Sequence, residues 1–227
     1  MAGCKLQMML ALCSFIMLAT LPPIHGWGTD GHSIICKIAQ SRLNDAAADA
    51  VKELLPKWAE DDLGSVCSWA DQVRFRFRWS SPLHFINTPE ICSYKYTKDK
   101  GGNTIDVHWY KRKAVLHHVW DTDIIETAEK RFYDSNIDSM VDAIQQNITS
   151  EWADEVKRWE TCGLNKTACP DQYASEGIKA ACDWAYKGVQ QESVLEDDYF
   201  LSRLPIVHRR LAQGGVRLAA TLNRIFG

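Results

Sequence analysis

The chain has 227 residues. It has no second apolar run after its N-terminus, no basic stripe, no C-x-x-C pair, no internal repeat and no low-complexity tract. Each absence excludes something. Without a second apolar span, no later segment is built to cross a bilayer, and a soluble product is expected. Without a basic stripe, the chain lacks the footprint of a non-specific duplex binder. Any contact with nucleic acid would need another source of positive charge. Without C-x-x-C, a cysteine zinc site is not indicated. Without repeats or a linker, the roughly 200 residues after the N-terminal run fit one domain around one core.

The N-terminal run is disposable in character. Lys5 is followed by apolar and small residues from Met8 to Leu21, then Pro22, Pro23 and Gly26. That is the pattern of a secretory signal peptide, and the run is too short to span a membrane. The expected division is a signal over residues 1–26 and one domain over residues 27–227. Cleavage after Gly26 would make Trp27 the new N-terminus, inside the stretch WGTDGH. Only Lys5 among the charged residues leaves, so the formal net charge moves from −3 to −4. Cys4 and Cys13 leave as well. Cys36, Cys67, Cys92, Cys162, Cys169 and Cys182 remain, an even set that suits three disulfides in a secreted chain. Asn147-Ile-Thr and Asn165-Lys-Thr are glycosylation sequons suited to that compartment.

What is present is mostly helical patterning. Ile34, Ile35, Ile38, Ala39 and Leu43 recur at helical spacing. Asn44 or Asp45 caps AAADAVKELL, which Pro56 closes. SVCSWADQVRF reads as a short helix, and Arg76 to Pro89 as an extended aromatic stretch. Ile105, Val107 and Trp109 alternate as in a short strand. Helical period returns from Val115 to Phe132, then around 137–160, 171–187 and 196–226. Pro205 and Gly214-Gly215 are expected to kink or divide the last helix. The fold class is therefore mainly α, in a single domain with a short β element.

Polar residues with chemistry are few. In HHVWD, His117 and Asp121 are i, i+4 and share a helix face, where imidazole nitrogen and carboxylate oxygen can converge on one metal ion. The same spacing also suits a simple His–Asp hydrogen bond. Asp71 follows Trp69-Ala70, and His84 sits in SPLHF. His108, His118 and His208 read as structural. Together with His32 and a new terminal amine, Asp71, His84, His117 and Asp121 offer only nitrogen and oxygen ligands, a set that suits zinc.

The ordered series WGTDGH, WADQVR, RWSSPLHFINTP, GGNTIDVHWY, LHHVWD, CPDQYASE and RLPIVHRRLAQGGVRLAATLNRIF resembles the zinc-dependent, single-strand-preferring nucleases of fungi and plants. It is most like the plant bifunctional nucleases of the Aspergillus-nuclease type. The resemblance covers essentially the whole chain. It implies a helical fold shared with zinc phospholipases C and cleavage of RNA and single-stranded DNA to 5′-phosphate products. It also implies 3′-nucleotidase activity in some members, a cluster of three zinc ions, and a monomer in the secretory pathway, extracellular or vacuolar. Carried over by position, Trp27 and His32 match one zinc site, Asp71 and His84 a second, and His117 and Asp121 a third. Phe85 matches a base-stacking ring, and Asn87 stands where relatives carry an Asp facing that base. Arg74 and Asn103 match residues near the scissile phosphate. The pairing implied is Cys36–Cys67, Cys92–Cys182 and Cys162–Cys169.

One departure stands out. Relatives carry a segment between the C-S-Y-x-Y and G-G-N stretches, with a second His-x-x-x-Asp pair and a further His. Here Tyr94 to Lys100 runs straight into Gly101-Gly102-Asn103, and no second H-x-x-x-D occurs in the chain. The join at Asp99–Lys100 has the form of a skipped exon, a gene-model error or a shortened isoform. The missing ligands include the carboxylate that bridges two zincs, so fewer than three ions are expected. Two rivals to a working nuclease follow: a catalytically impaired secreted glycoprotein, and a phospholipase C-like phosphodiesterase. Phe85 and RWSSPLHF speak against the latter.

Overall fold

In the computed structural model the described residues are 27–83, 105–163 and 166–227. Helix α1 (Thr29–Gln40) opens them, with Ile34, Ile38 and Ala39 fully buried along one stripe. Of the two residues offered as cap of the next helix, α2 (Asp45–Leu54), Asn44 takes the place, its side chain accepting from the Ala47 N–H. Pro56 follows its end, where an interior N–H is no longer needed. A 3₁₀ turn at Leu63–Val66 leads to the short α3 (Trp69–Val73).

Strands β1 (Asp106–Trp109) and β2 (Arg112–Val115) form an antiparallel hairpin. A third strand, β3 (Ser193–Leu195), adds to β1 in parallel, which the sequence had not indicated. Directly after β2, three segments run as one helix, α4: Leu116–His118, Val119–Asp123 and Ile124–Phe132. Its middle segment is a turn of π-helix. The expected 137–160 helix is two, α5 (Ile137–Thr149) and α6 (Ala153–Glu160). Helix α7 (Pro170–Ala180) continues into a second π turn at Ala181–Ala185. The chain ends in α8 (Asp197–Phe226). The fold is mainly α, as expected, with a small three-stranded sheet.

Two local expectations fail for physical reasons. Helix α8 is unbroken. Pro205 lies on its exposed side, beside exposed Leu201, where solvent can take up the carbonyl that proline leaves without a donor. The Gly214-Gly215 pair does not divide it either, because those glycines let α1 lie close. A Cβ on Gly215 would stand 2.4 Å from Ile38 Cγ2, and one on Gly214 would stand 3.0 Å from Ile35 Cδ1. Contact between helices outweighs the local helix penalty of glycine. The stretch after Val73 is also not extended. Arg76 and Phe77 N–H groups both donate to the Val73 carbonyl, and a 3₁₀ helix follows at Arg78–Leu83. Residues 84–89 of that expected stretch lie outside the described residues.

The core is continuous from α1 through α4, α5 and α8 to the sheet. Ile34, Ile38, Val119, Ile124, Ile125, Met140, Ile144, Phe200, Val207 and Leu211 are fully inaccessible. Each such side chain contributes about 1.5–3 kcal/mol relative to exposure. This block fixes α1 and α4, which carry most of the described candidate site.

Candidate metal and phosphodiester site

The hairpin delivers α4 to the site. Leu116 is buried at its start, and the next residue is His117. His117 Nε2 lies 2.8 Å from Asp121 Oδ2, across one helical turn. The π turn Val119–Asp123 contains Asp121, and such turns are frequent at functional sites. It is held from below by Asp123, which is buried and paired with Arg112 of β2.

The N-terminal stretch folds onto this helix. The Gly28 N–H donates to the Asp121 carbonyl at 2.9 Å. Only glycine allows that approach, since a Cβ there would stand 2.6 Å from Thr122 Oγ1 and 3.1 Å from the Asp121 carbonyl oxygen. Trp27 is thereby laid beside a cavity of about 260 Å³ that His117, Asp121, Trp120, Tyr186 and Arg210 also line. A hydrogen-bond chain stiffens that wall: Trp120 Nε1 donates to the Tyr199 hydroxyl, which donates to the Ala185 carbonyl.

Helix α1 then brings His32 to α3, where His32 Nε2 lies 3.2 Å from Asp71 Oδ2. The Cys36–Cys67 disulfide ties α1 to the turn just ahead of α3. Cys162 and Cys169 form a second bridge. Cys182 is disulfide-bonded, and its expected partner Cys92 lies outside the described residues.

The two His–Asp pairs are neighbours. A second cavity, about 320 Å³, is lined by Asp71 and Asp121 together with Asp30, Glu126, His118 and Phe75. Burial pushes the Asp121 carboxyl up to about 7; the negative Asp71 pushes the same way, and His117 pulls it down. Burial and Glu126 likewise raise Asp30. Four carboxylates thus face one cavity, two of them beside imidazoles. Arg74, next along from α3, is buried; burial lowers its pKa, while Asp71 draws it back up.

Of the residues singled out from sequence, His32, Asp71, His117 and Asp121 therefore come together, with Trp27 and Arg74 at the edges. His84, Phe85, Asn87, Asn103 and Asn165 lie outside the described residues. Asn147 sits half-buried near the end of α5. Three residues escaped the sequence argument, among them Asp30, which lines the acidic cavity. His118, set aside as structural, lines the acidic cavity, 3.7 Å from Asp123 Oδ1. Glu126 lines it too. His118 stands directly ahead of the π turn, with ordinary helical backbone angles. His208 is structural: burial alone drives it down to about 4, and its ring packs at 6.1 Å from Tyr133.

The profile of the S1/P1 nuclease family matches residues 27–97 and 92–227. The chain belongs to this family. Endonuclease 2 of Arabidopsis thaliana is 53% identical over an alignment of 285 residues, covering 98% of each chain. Endonuclease 4 of the same plant is 42% identical, over 88% of this chain and 89% of its own. Nuclease S1 of Aspergillus oryzae is 24% identical, over 92% and 94%. The family profile falls in two blocks, and the alignment with Endonuclease 2 is longer than the 227-residue chain. A stretch of that relative thus has no counterpart here. Among the described residues no three His, Cys, Asp or Glu side chains gather as a metal-binding group. No helix among them is long and apolar enough to cross a membrane.

Proposed function

We propose that this protein is a secreted zinc-dependent endonuclease. It would hydrolyse phosphodiester bonds of RNA and single-stranded DNA to 5′-phosphate products, with 3′-nucleotidase activity as a second capacity. The observation that carries this reading is the convergence of His32–Asp71 and His117–Asp121 on one acid-lined cavity in an S1/P1-family chain. Removal of residues 1–26 would deliver it to the extracellular space or the vacuole. The disulfides suit an oxidising compartment.

Zinc fits the donor set, because each pair supplies one imidazole nitrogen and one carboxylate oxygen. The residues that would hold it are Trp27 with His32, Asp71 with His84, and His117 with Asp121. Bound there, zinc would polarise a phosphoryl oxygen and lower the pKa of an attacking water. The chain's own groups do the rest. The carboxylates orient the two imidazoles that touch them. Arg74 and Asn103 would bind the scissile phosphate, and Phe85 would stack on the neighbouring base. Asn87 would set the base preference of that subsite, with an amide in place of the usual carboxylate.

A second reading has its own support. The two-block match, and the want of a third donor at either pair among the described residues, favour a family member lacking an internal segment near Asp99–Lys100. A catalytic zinc usually takes three protein ligands. Such a chain would bind fewer than three ions and cut slowly.

The reading is tested by incubating the secreted protein, and a form with the family segment restored, with labelled single-stranded DNA and RNA plus zinc. Cleavage abolished by chelator, leaving 5′-phosphate ends, is expected, strongest in the restored form. Intact substrates with both forms, or cleavage indifferent to chelator, would overturn it.

A further inference from the structure

From Arg74 to Trp79 the sequence reads R-F-R-F-R-W. The proposed chemistry uses only Arg74 of these. Large rings in a folded protein are normally drawn into the core, but here they stay out. Phe75 is 64% exposed, Phe77 43% and Trp79 74%, and Trp69 at the start of α3 is 61% exposed. Arg76 and Arg78 are exposed between them. The Arg74 guanidinium lies 5.0 Å from the Phe75 ring centroid, and that of Arg76 lies 5.8 Å from Phe77. No carboxylate among the described residues pairs with Arg76 or Arg78.

Four exposed large rings between residues 69 and 79 mark a binding surface rather than scattered surface hydrophobics. The interleaved cations say what binds. An apolar protein or lipid partner would face two unneutralised guanidiniums. A single-stranded polynucleotide presents a ring face and a phosphate at every step, which is the alternation seen here. It also answers the charge problem of an acidic chain, since this is a local run of positive charge in a protein of net −3. The surface is continuous with the candidate site, because Phe75 lines the cavity of Asp71 and Asp121.

We propose that Trp69, Phe75, Phe77 and Trp79, with Arg76 and Arg78, form a stacking platform for single-stranded nucleic acid. It holds nucleotides beyond the bond to be cut. The proposal rests on the nuclease reading for its ligand and not on the metal ions for its affinity. It makes binding grow with strand length in a way that a site confined to the cavity would not.

The test uses anisotropy of labelled oligothymidylates of graded length, with the secreted full chain, in chelator so that nothing is cut. Phe77→Ala with Trp79→Ala, and Arg76→Gln with Arg78→Gln, are compared with the parent. Loss of each ring should weaken binding of the longer strands about fivefold, the low end for base–aromatic stacking. Dinucleotide binding should not change. The charge variant should flatten the salt dependence. Thermal melts should match the parent, since the substituted side chains are exposed. Equal affinity of parent and ring variant for long strands would overturn the proposal. So would the same result in the segment-restored form alone, which would mean that the rings are the seat of that segment. Binding with the expected variant losses supports the platform even if added zinc restores no cleavage, and that outcome counts against the nuclease reading alone.

Discussion

Two His–Asp pairs meet at the candidate site, and they are made in different ways. His117 and Asp121 are one turn apart on a single helix, 2.8 Å from imidazole nitrogen to carboxylate oxygen. His32 and Asp71 are at a similar 3.2 Å, yet they come from different elements. Their contact depends on α1 lying close against α8, on the Cys36–Cys67 bridge, and on α3 following that bridge. The local pair needs only α4 to form, whereas the distant pair needs the fold. The resemblance assigned His32 and Asp71 to different zinc ions, and the structure makes them adjacent donors.

Breaking the bridge should separate the pairs most strongly. Cys36→Ser with Cys67→Ser opens a loop of 31 residues. Chain entropy puts the loss near 3–4 kcal/mol, read from denaturant unfolding. Histidine ring NMR at temperatures where the variant stays folded should show His32 shifted and His117 in place. Equal movement of both would mean the pairs are not independent.

Gly215→Ala should act on the same pair through packing. The added methyl meets Ile38, so α1 must move or strain, at a cost of about 1–3 kcal/mol. Again the His32 signal should move before that of His117. A variant as stable as the parent would show that α1 and α8 can separate freely, and the account of how His32 is placed would fail.

The smallest effect concerns Glu129, which feels the Asp30 and Glu126 carboxylates that line the acidic cavity. Burial, then Asp30, then Glu126 push Glu129 up to about 7, from 4.5. The folded state therefore holds a proton that the unfolded state has released. The stabilisation is fully present below about pH 4.5 and is lost as pH rises through about 7. Glu129→Gln should flatten the fall in melting temperature across that window, measured in chelator. An unchanged slope would show that Glu129 does not carry it.

The comparison also explains what could be read from sequence. The i, i+4 spacing of His117 and Asp121 is a property of one helix, so it was legible. So were Asn44 as a cap and the mainly helical class, which follow from local pattern. The strand β3 was not legible, because three residues in parallel with β1 leave almost no periodic signal. The unbroken α8 was misjudged because Gly214-Gly215 weakens a helix locally while permitting the approach of α1. His118 reads as structural because helical spacing points it away from the face shared by His117 and Asp121, yet it lines the acidic cavity. Adjacency of His32 and Asp71 is a tertiary fact that no local pattern carries, and the resemblance placed the two at different ions. Arg76 to Pro89 reads as extended because its aromatic content suits a strand, whereas a 3₁₀ helix forms at Arg78–Leu83 and Arg76, Phe77, Arg78 and Trp79 face solvent.

The central claim is that this chain keeps the two described donor pairs of an S1/P1-type centre but not the complete metal cluster. Zinc content by elemental analysis tests it most directly, comparing the secreted protein with a segment-restored form after equal dialysis. The account predicts fewer than three zincs per chain in the first, three in the second, and single-stranded DNA cleavage that rises with them. Three tightly held zincs and undiminished cleavage in the shorter chain would contradict it.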